Sequence, residues 1–77
     1  MKLFELNNLL HKVKNEGECI EFTNQKDIVM VSFIERTQRF LCELNGVGLF
    51  SQKSLRTFRN KLDYKIKSKG LILTVEH

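Results

Sequence analysis

The sequence predicts an α+β fold in one two-layer domain spanning residues 1–77, and three observations carry that prediction. Apolar residues recur at three- and four-residue steps from the start of the chain, change to a two-residue period at Gly17, and return to the helical period at Ser51. The 77 residues contain no proline, no internal repeat and no low-complexity linker, so a single core is expected. The period changes give the order α-β-β-β-α-β, a mostly antiparallel four-stranded sheet with two helices on one face.

Residues 2–15, KLFELNNLLHKVKN, form the first helix: Leu3, Leu6, Leu9, Leu10 and Val13 share an arc, and Gly17 ends it. Phe4 falls off that arc beside Asn7 and His11, and is read as a flank of the core or an anchor for another chain. Residues 18–23 alternate as a strand, and Asn24–Asp27 has turn chemistry. The β-branched, nearly continuous apolar run Ile28–Glu35 reads as a strand central to the sheet or buried on both faces. After a turn at Arg36, Thr37 and Gln38, a third strand from Arg39 sets Phe40, Cys42 and Leu44 against Arg39, Leu41 and Glu43. Asn45-Gly46-Val47-Gly48-Leu49 is read as a loop into the second helix. After Gly70, LILTVEH reads as a last strand with Leu71, Leu73 and Val75 on one face.

The second helix, in SQKSLRTFRNKLDYKIKSKG from Ser51 to Gly70, carries the charge asymmetry of the chain. Seven bases stand there against one acid, Asp63, a balance of +6, while six bases and eight acids elsewhere sum to −2. Ser51 is the expected N-cap, with Phe50 and Leu55 placed as a hydrophobic staple and Gly70 as the left-handed stop. Leu55, Phe58, Leu62 and Ile66 share a narrow arc and face the core. Lys53, Arg56, Asn60, Tyr64 and Lys67 lie opposite and form the candidate partner-binding face. The bland alternative is a solvated face with Tyr64 resting on lysine stems.

Several chemistries lack their residues. His11 and His77 are the only histidines, so a nucleophile–base–orienter set has few members to draw on. Glu16, Glu18 and Glu21 cluster at a turn and strand edge rather than around a pocket. Gly46-Val47-Gly48 lacks the third glycine of a dinucleotide loop, and no Walker pattern occurs. No enzyme and no cofactor is expected. Cys19 and Cys42 read as reduced thiols; a zinc site with His11 and His77 lacks the short ligand spacing such sites use. No apolar run approaches a membrane span and no signal-peptide pattern opens the chain, so a cytoplasmic protein without membrane contact is expected.

Two kinds of partner fit. A cationic helix with an outward tyrosine suits an acidic patch on a larger protein, because Tyr and Arg are enriched at binding hot spots. The short, Lys- and Asn-leaning chain without catalytic residues is what an adaptor or inhibitor of a phage or mobile element, acting in host takeover, would look like. The alternative is nucleic acid, with the same bases on phosphates. The Asn-Gly-Val-Gly loop, Ser51-Gln52-Lys53-Ser54 and the basic helix, after a helix and three strands, resemble in outline the double-stranded RNA-binding domain, which implies phosphate contacts at the helix start. The chain departs from that domain in its strand after the helix and in having only Lys53 at the helix start. A monomer or weak homodimer is expected, the last strand being a possible pairing edge.

Overall fold

The computed structural model describes the backbone of residues 1–76 and the side chains through Thr74. Its order is α1 (Leu3–Glu16), β1 (Ile20–Thr23), β2 (Ile28–Ile34), β3 (Arg39–Leu44), β4 (Val47–Gln52), α2 (Leu55–Lys69) and β5 (Ile72–Glu76). The α+β class and the two-layer arrangement are as the sequence predicts, with five strands in place of four. Every neighbouring pair is antiparallel, and the sheet runs β4-β3-β2-β1-β5. α2 therefore leaves one edge of the sheet and delivers β5 to the other.

The extra strand is β4, over residues expected to form a loop and the start of the second helix. Asn45 and Gly46 take φ of 51° and 84°, the paired left-handed conformations of a tight hairpin turn. Val47 then faces Leu44 and Phe50 faces Cys42. A register shift opposite Cys42 and Glu43 breaks the alternation in the middle of the strand. The same rearrangement moves the helix start. Ser51 is a strand residue whose Oγ accepts a hydrogen bond from Arg39 Nε at 3.0 Å. Ser54 is the N-cap, its Oγ accepting the Thr57 N–H at 3.2 Å. Phe50 is consequently no staple: its ring packs on Phe58 at 5.1 Å from within the sheet.

Both helices cover one face of the sheet. Leu6, Leu10 and Val13 from α1, and Phe58, Leu62 and Ile66 from α2, bury against Ile20, Phe22, Val29, Val31, Phe40 and Cys42. Phe40 stacks on Phe58 at 5.2 Å and meets Phe33 edge-on at 5.0 Å, so an aromatic chain runs from β2 through β3 to α2. β2 is central, as expected, but it is covered on one face only: Ile28 is 49% exposed and Ile34 37% on the other. Phe4 stands 63% exposed and does not flank the core, because Leu6 and Leu10 already fill the contact line of α1.

Both helices stop at a glycine, as the residue types dictate. Glu5 accepts the backbone N–H of Lys2 at the start of α1, and Gly17 closes that helix at φ 68°. Gly70 (φ 62°) closes α2, with the N–H of buried Leu71 donated back to Ile66 O at 3.0 Å.

Candidate functional site

The seven bases from Lys53 to Lys69 divide by their surroundings. Arg59 is structural: its Nη1 donates to Asn7 Oδ1 at 3.3 Å, joining α2 to α1, and its Nη2 donates to Asn60 Oδ1 at 3.1 Å. Lys69 is 3.4 Å from Asp27, and Lys67 is 3.1 Å from Asp63 one turn earlier. Lys53, Arg56, Lys61 and Lys65 have no carboxylate partner among the described residues.

The end of α2 is tied to both sheet turns by a polar cluster. Asn24 Nδ2 donates to Lys69 O at 2.8 Å, and Asn24 Oδ1 accepts the Lys26 and Asp27 N–H groups. Asn45 Nδ2 donates to Asp27 Oδ1 at 3.0 Å. That bond and the Lys69 ammonium hold the Asp27 carboxyl below its ordinary value against an opposing desolvation effect. The cluster holds the last turn of α2 over the sheet, and so sets where the outer face of the helix stands.

Asn60 and Tyr64, two residues of the predicted face, line one groove of about 470 Å³ together with Leu49, Phe50, Lys61 and Lys65. Lys61 Nζ stands over the Phe50 ring at 5.7 Å, so the groove has an aromatic wall from the sheet and a cationic wall from the helix. Tyr64 is 68% exposed at its mouth. Arg56 and Lys67 are exposed on the same helix, outside the groove lining. Lys53 lies before the N-cap rather than on the helix face, a consequence of the later helix start.

Leu49, Phe50, Lys61 and Lys65 lie outside the face that the sequence predicts. Lys61 and Lys65 sit on the flank of the helix, which becomes a binding wall only because β4 lies beside it. Asn45-Gly46 was the available signal: read as a hairpin turn, it makes Leu49 and Phe50 strand residues.

Among the described residues no group of three or more His, Cys, Asp or Glu side chains could hold a metal ion. Cys19 and Cys42 are free thiols, and burial pushes the Cys42 thiol up to about 11. The expectation for His77 lies outside the described residues. No described helix is long and apolar enough to cross a membrane. Compared with protein-family models, with characterised proteins and with solved structures, the chain matches none of them.

Proposed function

We propose that this chain is a small protein-binding module of adaptor or inhibitor type, without catalytic chemistry of its own, that docks through the outer face of α2 on an acidic patch of a larger protein. Tyr64 carries the reading: an aromatic side chain 68% exposed, at the mouth of a groove whose charged lining groups, Lys61 and Lys65, are both cationic. A ring in that setting has area to bury and charge to orient a partner, the two properties of hot-spot residues. Phosphate binding needs the charge but not the groove. The Lys- and Asn-leaning composition supports a phage or mobile-element source and a host protein in the cytoplasm as target.

Nucleic acid is the second reading, favoured by Lys53 and Arg56, which have no carboxylate partner among the described residues and lie outside the groove. An affinity capture from host lysate, with and without nuclease, separates the two. One protein retained at stoichiometric level after nuclease, and lost with Tyr64→Ala, is the expected result. Capture that vanishes with nuclease reverses the ranking; capture indifferent to Lys53, Arg56, Asn60, Tyr64 and Lys67 removes this face from consideration.

A further inference from the structure

The groove beside Tyr64 belongs to the edge of the sheet as much as to α2. β4 pairs with β3 on one side only, so its other side carries main-chain N–H and C=O groups without a strand partner. Edge strands are ordinarily blunted by charge, proline, bulges or a covering element. β4 has no proline and no charged side chain between Val47 and Gln52, and among the described residues the bulge opposite Cys42 and Glu43 is its single such device. Val47 is 70% exposed, and the space around the Gly48 Cα is open.

Resting on the reading of α2 as a protein-docking face, we propose that the partner enters as an extended acidic segment. It adds a sixth strand to β4, seats one apolar side chain in the groove between Leu49, Phe50 and Tyr64, and sets carboxylates against Lys61 and Lys65. Charge complementarity selects this occupant: no acid lines the groove, so a basic or neutral segment leaves both lysines without counter-charge. The geometry of a strand fits as well. An added strand lies about 4.8 Å from β4, and its same-face side chains repeat about every 6.6 Å. An apolar anchor and a carboxylate two residues away therefore point to the same side, toward α2. Main-chain bonds to β4 supply affinity, and the groove with its lysines supplies selection.

The test is a display library of short random peptides panned against the full chain, followed by hydrogen exchange of the bound protein. Enriched peptides are expected to share one Leu, Ile or Phe with Asp or Glu two residues away and no central proline. Their binding slows exchange of the outward-facing amides within Val47–Gln52. Leu49→Asp and Lys61→Glu, both at exposed positions, are each expected to weaken binding by about tenfold or more, with circular dichroism showing the fold retained. Acidic peptides that leave β4 exchange unchanged, or that are lost with Arg56→Glu but indifferent to Leu49→Asp, overturn the strand proposal and leave α2 as a docking face. A panning that enriches no acidic peptide overturns the strand proposal, and where a nucleic-acid duplex binds the same face it overturns the protein-docking reading as well.

Discussion

Truncating Tyr64 to alanine separates binding from folding more cleanly than any other change to this chain. A tyrosine side chain carries on the order of 200 Å². With 68% of the residue exposed, about 140 Å² remains for a partner to cover, worth about 3.5 kcal/mol at ~25 cal/mol per Å². Immobilising the side chain costs about 0.5–1.5 kcal/mol, leaving about 2–3 kcal/mol, or about 30- to 150-fold in Kd. The fold loses far less. About a third of the ring is packed in the free protein, and the better helix propensity of alanine, about 0.5 kcal/mol, offsets part of that loss. Stability should therefore change by no more than about 1 kcal/mol, a Tm shift below about 8 °C for a domain of this size. Biolayer interferometry against the captured partner reads the first quantity, and urea denaturation the second. A variant that binds within about twofold of the parent, or that loses more than about 2 kcal/mol of stability, refutes the assignment of Tyr64 to an interface rather than to the fold.

The remaining expectations concern the fold and its titrating groups. Phe58→Ala removes the ring on which Phe40 and Phe50 both pack and should cost about 3–5 kcal/mol in urea denaturation, a large share of the roughly 4–12 kcal/mol a chain this long commands; a loss under about 1.5 kcal/mol contradicts the aromatic core. The Asp27 carboxyl is held below its ordinary 3.8, so its stabilisation is complete above that value and is lost as pH falls below it; thermal melts between pH 7 and pH 3 should show a shallower decline for Asp27→Asn, which starts from lower stability at pH 7. Cys42, fully buried with its thiol raised to about 11, should resist a thiol reagent that labels the partly exposed Cys19, and react only on unfolding; because the fold favours the protonated thiol, stability should fall as pH rises above 9. Light scattering should give 9.1 kDa at low concentration, and a rise toward twice that mass through pairing at the edge strand β5 should disappear with Ile72→Lys, since Ile72 is 66% exposed there.

The helical faces were legible in the sequence because their cause is local. Phe58, Leu62 and Ile66 are buried on the stripe their spacing defines, and Tyr64 is exposed opposite it, since a period of 3.6 residues leaves little choice of face. The Asp63–Lys67 pair follows from four-residue spacing in the same way. β4 was hidden for an equally local reason: its register shift interrupts the two-residue alternation by which a strand is recognised, and Gly48 supplies no side chain to the pattern. What only tertiary structure decided is which bases remain without a counter-charge and what stands beside Tyr64. Lys69 meets Asp27 across 42 positions of chain, and Arg59 meets Asn7 across 52, pairings no spacing rule contains. The groove likewise needs Leu49 and Phe50 from a sheet edge and Lys61, Tyr64 and Lys65 from a helix, two elements whose separate periodicities say nothing about their contact. That contact arises because Phe58 packs between Phe40 and Phe50, and burying those rings draws the start of α2 onto the β4 edge.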